Sequence, residues 1–209
     1  PNLYPVWNQV LILEFEQGRW SDLQKDASAC AELFPSQALP FFFKAMMLNR
    51  SGSYTEALEI LTLAQGVLLN DNVLLAEIAL QEGIANLGLQ KQAAAFAAFK
   101  DALSVSSNDL ELKYLHALSH FKIELPKTQQ RLQEMLSKDA ANAPVLFELA
   151  YTAFQTGAYQ MAQQEIQKIS ADKLQQTAAY QELLGDIYFH LGQVQEANNC
   201  WQKALTFGE

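Results

Sequence analysis

Two histidines near the middle of the chain have a spacing that would suit a zinc site. His116 and His120 are four positions apart, so on a helix both rings would lie on one face. A zinc protease would have a glutamate directly after the first histidine, but Ala117 stands at that position. Both histidines fall at helix-packing positions. We therefore expect core histidines with hydrogen-bonded rings, not metal ligands.

Three further residues that could bind a metal or form ion pairs lie near the end of the chain. Glu182, Asp186 and His190 follow one another at intervals of four, which places them on one face of a helix. They could bind a lysine or arginine of a partner, or a divalent metal. A metal would need a further ligand and supporting residues that the sequence does not identify, so a solvated helix face is favoured.

The two cysteines, Cys30 and Cys200, lie near opposite ends of the chain, so in an elongated array of helices they would be too far apart to form a disulfide. We expect buried free thiols. The sequence contains no Ser-His-acid set, no glycine-rich phosphate loop and no paired-carboxylate cleft. The chain is therefore predicted not to be an enzyme and to require no cofactor or metal.

The composition favours a helical protein with a substantial core. Half of the 209 residues are apolar, whereas only 9 are glycine and 6 are proline. A net charge of −9 argues against a nucleic-acid or anionic-membrane partner, because such binding needs clustered lysine and arginine. No apolar run reaches the length of about 18 residues that a membrane span needs, and no signal segment opens the chain.

Single glycines recur after apolar helical stretches at near-constant spacing. Separations of 34, 36, 69 and 35 residues relate Gly18, Gly52, Gly88, Gly157 and Gly192. The separation of 69 is two periods and predicts another turn at 122–126, where Pro126 would end a helix. Apolar residues on both sides of each turn recur at three and four, which indicates two helices per unit. We predict one domain, 1–209, with six units at about 4–37, 38–73, 74–109, 110–142, 143–177 and 178–209.

At these positions the chain resembles the tetratricopeptide repeat family, whose pattern has a small residue in the first helix and a large ring in the second. The sixth unit matches best, with Leu184, Gly185, Tyr188, Ala197 and Trp201. The small residue lets the helices approach closely, and the ring fills the remaining gap. The resemblance, in particular to multi-repeat proteins of Gram-negative bacteria, implies an all-α fold, a right-handed α-solenoid of about six repeats. The alternative is an irregular all-α bundle.

Two units depart from the family pattern. In the third unit Ala95, Phe99 and Ala102 come two residues late relative to Gly88, which predicts a lengthened turn. The fourth unit has no turn glycine, so its second helix, near 128–137, is expected to be shifted or reoriented.

The family resemblance implies that partners bind on a concave surface lined by the first helices. Counted from the turns, the inward positions are mostly aromatic or apolar, which would suit an apolar or amphipathic protein segment. The same rings could instead pack between neighbouring helices. A clamp of Lys, Asn and Arg for a terminal carboxylate is not expected, because only Arg50 and Lys122 are basic near this surface. The third unit would contribute Ile78, Glu82 and Ala85, and the predicted partner-binding residues are Asn8, Phe15, Phe42, Met46, Asn49, Tyr114, Phe121, Phe147, Tyr151, Phe154, Glu182, Asp186, Phe189 and His190.

Both ends of the chain are apolar, which is unusual for a repeat array. One end has Leu3, Tyr4, Val6 and Trp7, and the other has 204–207. The chain begins with Pro1 instead of Met. We expect a piece of a longer repeat protein, or self-association through the terminal helices. The leading function is a non-catalytic scaffold for a protein or peptide; the alternative is a structural or assembly segment covered by flanking repeats or another copy. Localisation stays open between the cytoplasm and the bacterial periplasm, including a fragment of an envelope lipoprotein.

Overall fold

The computed structural model describes residues 3–105, 107–170 and 173–207, and within these ranges the chain is helical, with no β-strand. The predicted all-α fold of helix-turn-helix repeats is confirmed. None of the described helices is long and apolar enough to cross a membrane. The helices are α1 (Tyr4–Glu16), α2 (Trp20–Leu33), α3 (Ala38–Arg50), α4 (Tyr54–Val67), α5 (Asn72–Gly88), α6 (Gln92–Ala102), α7 (Asn108–His120), α8 (Leu125–Lys138), α9 (Ala143–Gln155), α10 (Tyr159–Gln167), α11 (Ala178–His190) and α12 (Val194–Phe207), with a short 3-10 helix at Lys173–Gln176 before α11.

The described helices form consecutive pairs, and the chain packs into two compact units. The first unit is 1–111 and the second is 112–209, with the boundary inside α7. Within the units, first helices of successive pairs also touch, as in α1 with α3, α3 with α5, and α9 with α11. A single domain over 1–209 stays a prediction, and its residues 1, 2, 106, 171, 172, 208 and 209 lie outside the described ranges.

The turn within each described pair has the same hydrogen bonds. A residue with positive φ follows the first helix, its N–H donates to the carbonyl three residues back, and the next N–H donates to the carbonyl five residues back. This is the Schellman arrangement, in which a left-handed residue helps to satisfy the last carbonyls of a helix. The left-handed residues are Gly18, Gly52, Gln90, Lys122, Gly157 and Gly192, with φ between 55° and 79°.

The third turn lies at Gln90 (φ 60°), so its prediction at Gly88 was wrong. Helix α5 continues through Gly88, and the ring of Tyr54 in α4 occupies the space where a Cβ of that glycine would lie. The glycine is thus needed for close packing instead of for the turn. The sequence predicts a lengthened turn here, whereas the structure has a lengthened first helix. This explains why Ala95 and Phe99 come two residues late relative to Gly88.

The fourth turn lies at Lys122 (φ 55°), with a second left-handed residue at Glu124 (φ 50°). Helix α8 begins directly afterwards at Leu125, and Pro126 is in its first turn. The proline therefore starts the second helix instead of ending the first, which corrects the sequence prediction. At that position it removes only an N–H that has no partner within the helix.

Small residues face large rings where the helices of a pair meet. In the first unit a Cβ at Gly83 of α5 would overlap the ring of Phe99 in α6. In the second unit a Cβ at Gly185 of α11 would overlap the ring of Trp201 in α12, the contact that the family pattern predicted. The cores are therefore thin interfaces between helices, and their fully buried members include Leu11, Leu23, Leu61 and Ile78 in the first unit and Ile166 and Ile187 in the second.

Candidate functional site

Five predicted partner-binding residues lie in the first unit, and they differ in exposure. Phe15 is 37% exposed, and Asn8 and Met46 are half-buried, whereas Phe42 and Asn49 are buried. Only the first three can be reached by a partner in this conformation.

The two buried residues make contacts inside the first unit. Asn49 Nδ2 donates to both the carbonyl oxygen and the Oε1 of Gln81 in α5, each at 3.0 Å. The ring centroids of Phe42 and Phe43 are 5.3 Å apart. Because a partner could not contact either side chain without breaking this packing, both are excluded from the binding surface.

The predicted inward positions of the third unit have the wrong register. Ile78 and Ala85 are fully buried, and Glu82 accepts a 2.8 Å hydrogen bond from Gln65 of α4. Burial and the charge of nearby Asp101 raise the pKa of Glu82, against the effect of that hydrogen bond. The prediction counts back from Gly88, whereas the turn lies two residues later, so the equivalent positions are Leu80, Ile84 and Leu87. Leu80 and Leu87 are buried as well, and Ile84 is half-buried.

An aromatic ring two residues after a turn glycine packs on the first helix of the next pair, a contact that the sequence did not predict. The pairs are Trp20 with Arg50, Tyr54 with Gly88, and Tyr159 with His190. The guanidinium carbon of Arg50 lies 4.3 Å from the centroid of the Trp20 ring. The nearly parallel rings of Tyr159 and His190 also have centroids 4.3 Å apart. The recurring Gly-x-aromatic sequence is the signal that could have indicated this contact.

The two histidines of α7 lie at the surface between α7 and α9, so their prediction as core residues was wrong. His116 is half-buried, and its Nδ1 lies 3.0 Å from Glu148 Oε2. Its ring stacks on that of Tyr151 with centroids 4.8 Å apart. His120 is exposed, and its Nδ1 lies 3.2 Å from the Tyr151 hydroxyl. The expected hydrogen bonds of both rings are confirmed.

The surroundings of the two histidines shift their pKa values in opposite directions. Burial alone would lower the pKa of His116, but the hydrogen bond and the negative charge of Glu148 outweigh burial and raise it. Burial, followed by the charge of His116, lowers the pKa of His120. As the pH rises, His120 therefore loses its proton before His116 does.

A contact between aromatic rings joins helices α9 and α11. The edge of the Phe154 ring meets the His190 ring, with centroids 5.5 Å apart and an interplanar angle of 68°. Phe189 is 52% exposed, and its ring centroid lies 5.7 Å from that of Trp201 in α12. The α9–α11 surface is defined here as Tyr151, Phe154, Glu182, Asp186, Phe189 and His190.

The other predicted residues of the second unit are only partly accessible. Tyr114 is half-buried against a core cluster that contains Leu115 and Leu149. Phe121 is half-buried, and its ring meets that of His120 edge-on at 5.0 Å. Phe147 packs at the side of the α9 core. These rings therefore take part in intramolecular packing, as the alternative interpretation expected.

Two of the residues that could bind a metal at the acidic end of this surface make contacts within the chain. Asp186 Oδ1 accepts a 3.0 Å hydrogen bond from Trp201 Nε1, and the His190 ring is stacked on Tyr159. Glu182 is exposed. Across the described ranges, no three His, Cys, Asp or Glu residues are grouped so that they could hold a metal ion.

The two cysteines are buried free thiols, as the sequence predicted. Burial, and then the charge of Asp26, raises the pKa of Cys30 to about 11. Burial also raises the pKa of Cys200, although Lys203 lowers it slightly. Raised pKa values leave little thiolate at neutral pH, so neither residue has the character of a nucleophile.

The tetratricopeptide repeat sequence model matches residues 124–187, from the fourth turn into α11. No curated protein sequence matches the chain. The fold, in contrast, has many similar solved structures.

Three of these structures show the extent of the similarity. A tetratricopeptide repeat protein from Parabacteroides merdae has a TM-score of 0.71 at 16% identity, over 100% of this chain and 80% of that one. PilW, a type IV pilus biogenesis factor, has a TM-score of 0.58 at 18% identity, over 94% of this chain and 89% of that one. A chain of the Cut9–Hcn1 hetero-tetramer of the APC/C has a TM-score of 0.60 at 15% identity, over 94% of this chain but 38% of that one. Residues 124–187 of the chain thus match the tetratricopeptide repeat model, and the chain shares its fold with solved tetratricopeptide repeat proteins.

Proposed function

We propose that this chain is a non-catalytic scaffold that binds a protein or peptide through the α9–α11 surface. The observation that carries the proposal is the exposure of Phe189, at 52%, next to His190, whose ring meets the half-buried Phe154 of α9. Covering exposed apolar surface is favourable because it removes that surface from water. Repeat proteins of this kind use extended concave surfaces for binding.

The chemistry of the surface favours an apolar or amphipathic segment. Tyr151, Phe154 and Phe189 offer large ring faces that lose few torsions on binding. Neither α9 nor α11 contains a lysine or an arginine, so these helices supply no such side chain to clamp a terminal carboxylate.

The family and the structural relatives support a role in assembly. Tetratricopeptide repeats are in general non-catalytic interaction scaffolds. One relative is part of a hetero-tetramer, and another is named for type IV pilus biogenesis.

Quantitative capture from a native extract of the source organism tests the proposal. The variants are a double variant, Tyr151→Ala with Phe189→Ala, and a control, Leu63→Ala. Leu63 lies on the second helix α4 and is also 52% exposed, so the control removes an equally exposed apolar side chain. We expect wild type and control to recover the same protein and the double variant to lose it. Equal recovery by all three, or none by wild type, contradicts the proposal.

A second candidate function, assembly with another copy or with flanking repeats, is favoured by exposed apolar residues on the outermost helices. On α12, Leu205 is 72% and Val194 51% exposed, and Leu3 before α1 is 65% exposed. Light scattering tests self-association. We would expect an oligomer that Leu205→Glu dissociates, whereas a monomeric wild type at high concentration rules self-association out.

A further inference from the structure

We infer that the segment bound by the α9–α11 surface is basic, with lysine or arginine between its apolar residues; the inference rests on the proposed function. The charged residues of α9 and α11 are Glu148, Glu182 and Asp186, and neither helix contains a lysine or an arginine. The neighbouring second helix α12, in contrast, carries both Glu196 and Lys203. A basic segment would therefore meet complementary charge on the first helices, whereas an acidic one would be repelled.

The carboxylates of helices α9 and α11 differ in how many hydrogen bonds they already make. Glu148 is half-buried and bonded to His116 Nδ1 at 3.0 Å. Asp186 accepts the Trp201 N–H through Oδ1. Glu182 is exposed and has no hydrogen bond or ion pair within the described ranges. Glu182 and the second oxygen of Asp186 are thus the acceptors that remain for a cation of the partner.

The rings of the surface suit a basic side chain as well. A lysine or arginine can lay its apolar stem along a ring and hold its charge over the ring face. The first unit contains an example of this contact within the chain, since the guanidinium carbon of Arg50 lies 4.3 Å from the Trp20 ring centroid. Phe189 offers an exposed ring on the same helix as the carboxylates of Glu182 and Asp186.

Selection from a phage-displayed library of random peptides tests the inference without knowledge of the natural partner. The full chain is the bait, and the double variant Tyr151→Ala with Phe189→Ala removes peptides that bind elsewhere. We expect enrichment of peptides that combine lysine or arginine with apolar residues. Enrichment of acidic peptides, or of peptides with no charge preference, overturns this inference and leaves the proposed function standing. If nothing is enriched over the counter-selected variant, the proposed function fails too.

Binding of a selected peptide, measured by fluorescence anisotropy, then tests the carboxylates. Glu182→Gln and Asp186→Asn remove the charges, and asparagine keeps an acceptor for Trp201 Nε1. Each substitution should weaken binding about threefold and reduce its dependence on salt. The control Glu196→Gln, on α12, should leave affinity unchanged. Unchanged affinity and salt dependence in the variant that combines Glu182→Gln with Asp186→Asn would overturn the assignment of these two residues.

Discussion

The indole ring of Trp201 occupies the space that a side chain at Gly185 would need. A Cβ at position 185 would lie 2.5 Å from Nε1, the atom that donates the 3.0 Å hydrogen bond to Asp186. Gly185→Ala must therefore displace the ring and strain this bond. We expect the free energy of unfolding, measured by urea denaturation, to fall by about 1–3 kcal/mol.

Gly66→Ala is the matched control, because Gly66 is also within a helix but has no atom within 4 Å of its Cβ position. Alanine favours the helix over glycine, so this variant should gain about 0.5 kcal/mol. A loss of stability in both variants would contradict the packing explanation.

The left-handed turn residues predict a second set of stability changes. Gln90 and Lys122 adopt positive φ although they have a Cβ, whereas the other four turns use glycine. Lys122→Gly and Gln90→Gly should each raise the free energy of unfolding by about 1 kcal/mol, because glycine has no steric cost in this conformation. Gly157→Ala, where φ is 78° and the space is open, should lower it by a similar amount. Thermal denaturation measures all three, and the absence of opposite signs would refute the account of the turns.

Glu14 predicts a dependence of stability on pH. It is 3% exposed, and its Oε2 has no hydrogen-bond partner, while Oε1 lies 4.0 Å from Arg19. Burial, and then the charge of Asp26, raises its pKa above the ordinary value. A raised folded-state pKa contributes stability at low pH that is lost as the pH rises through that pKa. Glu14→Gln should therefore be more stable than wild type near neutral pH, by about 1 kcal/mol, with a smaller difference in acid. Denaturation across the acidic range measures this, and a less stable variant near neutral pH would contradict it.

The contact between His116 and Glu148 predicts a change that NMR can measure. Removing the carboxylate charge with Glu148→Gln should lower the pKa of His116, because the hydrogen bond and charge of Glu148 are what raise it against burial. In wild type the pair contributes stability below the ordinary histidine pKa of about 6.5, and this contribution is lost as the pH rises through the raised value. An unchanged pKa of His116 in the variant would show that the contact does not exist in solution.

The turns show how far sequence spacing predicts this fold. Gly52 and Gly157 were located correctly because isolated glycine after an apolar helix is the usual left-handed residue. The prediction of a turn at Gly88 is wrong, because the sequence alone does not distinguish a turn glycine from a glycine that makes room for the ring of Tyr54. Gln90 and Lys122 could not be found from their residue type, since only the geometry of the pair forces them to positive φ.

The proposed binding surface was also only partly predictable from the sequence. Helical periodicity correctly placed Phe154 and Phe189 on first helices, but it could not predict how far each would be covered. Asn49 can be buried because Gln81, on another helix, accepts hydrogen bonds from its side-chain amide. Such contacts depend on which helices become neighbours and on their register, and the third unit's register was counted from the wrong residue.

Site-specific photo-cross-linking tests most directly whether a partner contacts the α9–α11 surface. A photoreactive amino acid replaces Phe189 in one variant and Leu63 in another, two residues that are each 52% exposed. After irradiation in the source organism, we expect a specific cross-linked protein from position 189 and none from position 63. A cross-link from position 63 alone, equal cross-links from both positions, or none from either would contradict the proposed binding surface.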